Sequence, residues 1–343
     1  MAQTPRVTDP ILQDGDRSLE GGLRPKSLNE FVGQDGLREN LRILVEAATA
    51  RDEPLEHILL SGPPGLGKTT LATLLAGEMG TRLVVTSGPA LERAADLVGI
   101  LTGLPPKGIL FVDEIHRLSR TIEEYLYPAM EDQRLDILLD RGPSARSVRL
   151  KLHPFTLVGA TTRSGRLSAP LRSRFGFVGR VDFYNIVELM KIVERSARIL
   201  QCPLEGEVAE ELAKRGRGTP RIVNRLLRRV RDYAQVRGTG DVDKHTVLQA
   251  CELLQVGEDG LHEMDRKILE TIIVKFSGGP VGLNTLAACL GEEPDTIEEV
   301  HEPFLLQEGY IERTPRGREA AVRAYQALGI DAKLKPKPPG LFT

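Results

Sequence analysis

Residues 57–70 read HILLSGPPGLGKTT: a short apolar run, a glycine- and proline-rich loop, then a lysine and two threonines. Gly62 to Thr70 fits the pattern G-x-x-x-x-G-K-[ST]. Glycines such as Gly62, Gly65 and Gly67 let backbone N–H groups approach a phosphate with no Cβ in the way. The helix that follows, expected over 69–79, adds the positive end of its dipole. Lys68 supplies charge for the β- and γ-phosphates of a nucleotide such as ATP, and the Thr69 hydroxyl can ligate Mg²⁺. A chance glycine-rich turn would not be framed by a strand before and a helix after.

Working outward, three more apolar runs (82–86, 108–113 and 155–161) alternate with helical patterns. That alternation predicts an α/β fold, a mostly parallel sheet with helices on both faces. The run ILFVDE at 109–114 ends in two carboxylates. After a phosphate loop, Asp113 is placed to hold Mg²⁺ through water and Glu114 to polarise an attacking water, since phosphoryl transfer needs chiefly positioning and charge neutralisation. His116 and Arg117 beside them read as surface or packing residues.

The next stretch, 185–257, is expected to be all helical, with helices over 186–200, 208–214, 222–234 and 243–254. From 258 onward, helices are expected over 264–276, 283–290 and 294–308. A hairpin with Thr314 to Gly317 at its tip follows, then a last helix over 318–328 and a disordered proline-rich tail, LKPKPPGLFT. These patterns divide the chain into 1–184, 185–257 and 258–343.

Charge sharpens that division. The 343 residues carry 46 Lys+Arg and 48 Asp+Glu, net -2, which taken whole argues against a nucleic-acid partner. Residues 258–304 hold 11 acids and 3 bases, but 305–337 hold 4 acids and 7 bases. The run 294–308 contains Asp295, Glu298, Glu299, Glu302 and Glu308 and no Lys or Arg, so phosphates would repel it. Arg313, Arg316 and Arg318 cluster at the hairpin, where cations contact phosphate without reading sequence. Trp is absent and aromatic residues make up 4%, so stacking platforms for single strands are scarce, which favours duplex.

Other patterns exclude. Cys202, Cys251 and Cys289 match no metal-ligand spacing, and their odd number suits buried thiols in a reducing cytoplasm. No apolar run reaches the length of a membrane span, and MAQTPRVTDP lacks the apolar core of a secretory signal. Between the carboxylate strand and 155–161, two β-prone runs flank Gly142-Pro143-Ser144, which reads as a hairpin near 135–152. Val148 and Leu150 alternate with Arg149 and Lys151, giving an apolar face that either docks a partner or packs on its own domain.

The motifs LRPKSLNEFVGQ (23–34), GPPGLGKTT (62–70), ILFVDEIHRL (109–118), GATTR (159–163), LRSRFG (171–176), GTPRIVNRLLRRVRDYA (218–234) and GYIERTPRGR (309–318) occur in this order. Together they resemble the AAA+ ATPases and, among them, the Holliday-junction branch-migration motors of the RuvB family. The resemblance implies a P-loop ATPase domain, a helical lid and a C-terminal winged helix. It also implies ATP between the large and small ATPase domains, with Leu23 and Arg24 along the adenosine and Gly65, Lys68, Thr69 and Thr70 at the phosphates and Mg²⁺. Thr162 falls at the first sensor and Arg174 at the arginine finger that reaches a neighbouring subunit, with Arg172 its close competitor. Tyr184 and Arg221 match further nucleotide contacts, Arg221 as the second sensor. Glu131, Asp132 and Gln133 fall in a nucleotide-touching segment whose third position is commonly aromatic in the family.

The same resemblance makes Arg313 and Arg318 DNA contacts, with Arg316 a helper. It implies a homo-hexamer around duplex DNA of Holliday junctions, with RuvA docked on the hairpin face of Val148 and Leu150, and the RuvC resolvase in a larger complex. Read without it, Arg221 is one of nine bases from Lys214 to Arg237 against the single acid Asp232, a pattern usual for a solvated helix face. A clamp-loader-like ATPase, or a non-motor ATP-dependent DNA switch, are the alternative functions. The first would lack the winged helix, and the second would show no DNA-stimulated turnover.

Overall fold

The apolar runs around the phosphate loop pair side by side. A computed structural model describes residues 21–138 and 147–331, and they form two compact units, Leu23–Phe183 and the chain from Tyr184 onward. The first unit contains β1 (Ile58–Ser61), β2 (Leu83–Ser87), β3 (Ile109–Asp113), β4 (Arg134–Leu138), β5 (Ser147–Lys151), β6 (Thr156–Thr161) and β7 (Phe177–Arg180). Five of these form one sheet in the order β2-β3-β6-β1-β7, every pairing parallel. The central strands are buried almost end to end, as strands covered on both faces must be, which is why they read as unbroken apolar runs.

Helices α1 (Asp35–Arg51), α2 (Lys68–Glu78), α3 (Ala94–Thr102), α4 (Arg120–Asp132) and the short α5 (Ala169–Arg172) complete this unit. Leu97 and Leu101 of α3 and Ile122 and Leu126 of α4 close a core on Leu110 and Leu157 of the sheet. β7 was not expected. It is four residues long, and Gly179 breaks its apolar character while holding Leu37 and Leu60 against the backbone.

β4 and β5 form the expected hairpin, antiparallel with Leu135 opposite Leu150 and Ile137 opposite Val148. Leu150 packs against the core of its own unit, whereas Val148 is exposed. Of the two uses that its sequence left open, packing on its own domain accounts for Leu150 and leaves Val148 at the surface. The tip at 142–144 lies outside the described residues, as does the proline-rich tail.

The second unit starts with four helices, α6 (Ile186–Ile199), α7 (Gly206–Arg215), α8 (Pro220–Arg237) and α9 (Lys244–Leu253). Asn185 and Glu188 cap the first reciprocally, and Pro220 opens α8 at a position where a missing N–H costs nothing. The basic run is a solvated face only in part: Lys214, Arg229 and Arg237 are exposed. Arg215, Arg217, Arg225 and Arg228 are all buried, because long aliphatic stems pack while their guanidinium groups find partners such as the carboxylate of Glu211 for Arg215.

A separate core follows, built on α10 (Glu263–Glu270), α11 (Leu283–Leu290) and a third helical run that passes from Pro294–Thr296 through a wider π turn at Ile297–His301 into Glu302–Gln307. β8 (Ile311–Thr314) and β9 (Gly317–Ala320) form the antiparallel wing. The last helix covers Val322–Ala327 and not 318–328, because residues 318–320 pair in β9. Cys202 and Cys251 are buried as expected, but Cys289 is exposed.

Candidate active site and nucleic-acid interface

The phosphate loop joins β1 to α2 at the carboxyl end of the sheet, the edge where open α/β sheets bind ligands. Two glycines there are dictated by geometry. Gly62 has φ +142, and a Cβ on it would lie 2.2 Å from the Val181 carbonyl oxygen, so the loop can leave the sheet only without a side chain. Gly67 sits at φ 104 as the residue before α2, which frees the first N–H groups of that helix. Lys68 is buried and donates to the carbonyls of Gly62 (2.7 Å) and Pro63 (2.8 Å), which fixes its ammonium over the loop. Gly65 also has positive φ, and Thr69 and Thr70 sit half-buried in the first turn of α2.

β3 delivers the carboxylates. Asp113 Oδ1 accepts the Glu114 N–H at 2.9 Å, and Glu114 turns into left-handed backbone at φ 47. That kink leads the chain out of the sheet, and the Glu114 carboxylate accepts from Arg117 at 2.9 Å. His116 is not a bystander. Its Nδ1 lies 2.9 Å from Thr161 Oγ1 at the end of β6, and the same hydroxyl accepts from the Arg163 N–H. Burial lowers the His116 pKa against the opposing pull of Glu114. His116 thus ties the carboxylate turn to the end of the strand that leads into Thr162, a role that sequence spacing did not reveal.

Arg174 follows α5 and lies on its own unit. It donates to the Pro170 carbonyl at 2.6 Å, pairs with Glu131 at 3.1 Å and stacks 4.3 Å from the centre of the Tyr127 ring. Arg172, its competitor, is exposed and bound to the Ser164 carbonyl. Glu131 and Asp132 end α4 on the surface, and Gln133 caps it at φ 53. Leu23 is buried and Arg24 half-buried at the start of the unit. In the second unit, Tyr184 donates its N–H to the Gly218 carbonyl at 2.9 Å, and Arg221 lies in the first turn of α8.

At the wing the three arginines separate. Arg316 is exposed at the tip, and Arg313 is exposed while pairing with Glu298 at 2.7 Å. Arg318 is buried against Glu302, with a second bond of 3.1 Å from its NH2 group to the same carboxylate. That pairing raises its pKa. The guanidinium of Arg318 is thus paired inside the domain, and its expected contact with DNA requires that pair to open. The acids of the third helical run, which phosphates would repel, are the groups that hold the wing arginines.

A parallel sheet with a phosphate loop on β1, paired carboxylates on β3 and a following helical lid defines a nucleotide-binding P-loop ATPase of the AAA+ class. The RuvB P-loop domain family, described as Holliday junction DNA helicase, matches residues 23–181. The RuvB AAA lid domain matches 184–257, and the RuvB C-terminal winged helix domain matches 258–329. Among solved structures, the Thermotoga maritima RuvB Holliday junction branch migration motor is 50% identical with a TM-score of 0.82, covering 91% of this chain and 99% of that one. A point mutant of the same Thermotoga protein aligns with a TM-score of 0.84 at 50% identity over 90% of this chain and 99% of that one. The chain belongs to the RuvB family, whose members are ATP-dependent Holliday junction helicases. No helix among the described residues is long and apolar enough to cross a membrane.

Proposed function

We propose that this chain works as a homo-hexameric ring on the duplex arms of a Holliday junction, in the cytoplasm, with RuvA at the crossover and RuvC joining as resolvase. Within one chain, a phosphate loop and a carboxylate strand coexist with an arginine-tipped wing, and that coexistence carries the proposal. Lys68 neutralises phosphate charge, and the Thr162 hydroxyl orients the reacting end of the nucleotide. Glu114 takes the proton of the attacking water. Thr69 and Asp113 offer oxygen ligands of the kind Mg²⁺ takes, and the ion, when bound, would neutralise charge on the phosphates. Leu23, Arg24, Tyr184 and Arg221 hold or sense the nucleotide, and the 131–133 segment lines its approach. Arg174 completes a neighbour's site, and release from Glu131 lets it reach across. Val148, exposed on β5, is the docking position for RuvA, with Leu150 its support from below. Arg313 and Arg316 grip backbone phosphates without reading sequence.

The test is dissociation of a synthetic four-way junction with ATP, with and without RuvA. Partner-enhanced, ATP-dependent dissociation is expected; ATPase activity without any junction movement would refute the motor. Mixing Arg174→Ala with Lys68→Ala protein should restore part of the ATPase activity if the arginine acts in trans, and no recovery in mixed rings would remove that role.

A further inference from the structure

The loop that precedes Arg221 is tied to the winged-helix core by a buried ion pair. Arg217 lies between α7 and α8, in the turn Gly216-Arg217-Gly218-Thr219. It holds left-handed backbone, φ 54, although it is not glycine. Such a conformation persists only where its surroundings fix it, and it clusters at functional sites. Here the surroundings are plain. NH1 lies 3.1 Å from Asp265 Oδ2 and NH2 donates to Oδ1 at 3.2 Å, while the guanidinium carbon stacks 4.0 Å from the centre of the Phe304 ring. The pair is closed to water, with side-chain exposures of 2% and 0%.

Asp265 carries the connection onward. Its Oδ1 is 2.7 Å from His301 Nδ1, and its Oδ2 accepts the His262 N–H at the start of α10. His301 is followed directly by Glu302, the carboxylate that holds Arg318 in β9. In the other direction, the Arg217 carbonyl accepts from Thr219 Oγ1, and the Gly218 carbonyl accepts from Tyr184. A continuous set of bonded groups thus runs from the turn before Arg221 to the wing. The His262–Asp265–His301 cluster has the composition of a metal site, but His262 Nδ1 accepts the N–H groups of Met264 and Asp265, and a fixed guanidinium faces the carboxylate. The cluster already holds its cation, and that cation is Arg217.

We propose that Arg217 is a positioning residue that couples the nucleotide-sensing turn to the DNA-gripping wing, with Asp265, Phe304 and the Glu302–Arg318 pair as its transmission. Contacts of this kind carry motion as a unit, because packed cores have discrete arrangements and do not deform continuously. The proposal rests on the motor function above, with Arg221 and Tyr184 sensing nucleotide and Arg313 and Arg316 holding DNA.

The experiment compares full-length wild type, Arg217→Met, Arg217→Met/Asp265→Asn and Phe304→Leu, each with RuvA. It measures ATP turnover without DNA, turnover with duplex, and junction migration per ATP hydrolysed. Arg217→Met should keep DNA-free turnover, lose its stimulation by duplex, and migrate about 10-fold less per ATP. The double variant removes both charges, which a buried site tolerates better than one stranded carboxylate, and should be equally uncoupled. Phe304→Leu keeps the ion pair and should lose about 3-fold. Turnover and migration falling by the same factor, or unchanged migration per ATP in a folded variant, would overturn the proposal. If neither charge variant melts cooperatively, Phe304→Leu decides alone. A wild type that never moves junctions refutes the motor instead, so the two failures are distinct.

Discussion

The phosphate loop and the wing are both places where this chain gathers positive charge, and they do it by opposite means. At the loop the charge is largely backbone: Gly62 turns the chain off the sheet with its own N–H on the Thr161 carbonyl, Gly65 and Gly67 at positive φ lead into the open N–H groups of α2, and Lys68 is set over them by two carbonyls. At the wing it is all side chain, and its distribution depends on pairing. Glu302 withdraws Arg318 into the core, Glu298 engages Arg313 at the surface, and Arg316 remains exposed at the tip. A site written in backbone conformation follows from residue type and spacing. A site written in ion pairs depends on which acid the fold brings opposite which base.

That contrast can be broken first at the loop. Gly62→Ala would place a methyl group 2.2 Å from the Val181 carbonyl at a φ that L residues avoid. The loop must then shift, and ATP turnover should fall on the order of 100-fold or more as its donors lose their aim. Steady-state ATPase assays at saturating ATP check this, and near-normal kcat would show that the loop geometry is not backbone-limited.

At the wing the largest effect should be on stability. Glu302→Gln leaves the buried Arg318 facing a neutral amide, which should cost about 3 kcal/mol in thermal or denaturant melting. If melting were unchanged while duplex affinity rose, Arg318 would be a DNA contact after all. Asp265 gives a weaker but related signal. Burial opposes its ionisation, yet Arg217, His262 and His301 outweigh that and hold its carboxyl well below the usual carboxylate range. A depressed folded value means the stabilisation is complete above the ordinary carboxylate pKa and is lost as pH falls below it. Asp265→Asn should therefore flatten the acid side of the melting profile, and an unchanged acid slope would count against the pair.

The same contrast explains what could be read from the sequence. Four strands of the sheet, the loop and Asp113-Glu114 were legible because apolar runs and glycine spacing are local. The lid helices were legible within a few residues, their ends marked by Asn185, Thr219-Pro220 and Asp243. Three features were not legible. β7 is too short and glycine-interrupted to register. The burial of Arg215, Arg217, Arg225 and Arg228 is invisible to charge counting, because an arginine run looks alike on a solvated face and in a packed one. The pairing of Arg318 was not legible because its partner, Glu302, stands 16 positions away. Acidity in the third helical run argued against a DNA contact by that helix, but it gave no hint that those acids face the wing.

The smallest expected effect discriminates best among the arginines. Each phosphate contact releases condensed counterions, so losing one lowers the dependence of duplex affinity on salt by about one unit in log–log slope. Arg316→Ala should show that decrease across unrelated sequences, since tip contacts read no bases. Arg313→Ala should show a smaller one, because Glu298 already competes for the guanidinium. Arg318→Met should leave the slope unchanged while lowering the melting temperature, as its cation is buried against Glu302. Fluorescence anisotropy on two unrelated duplexes at several salt concentrations measures all three. Equal slope losses for Arg316 and Arg318 would mean that the wing opens on DNA and that the Glu302 pair is a resting contact, not a structural one.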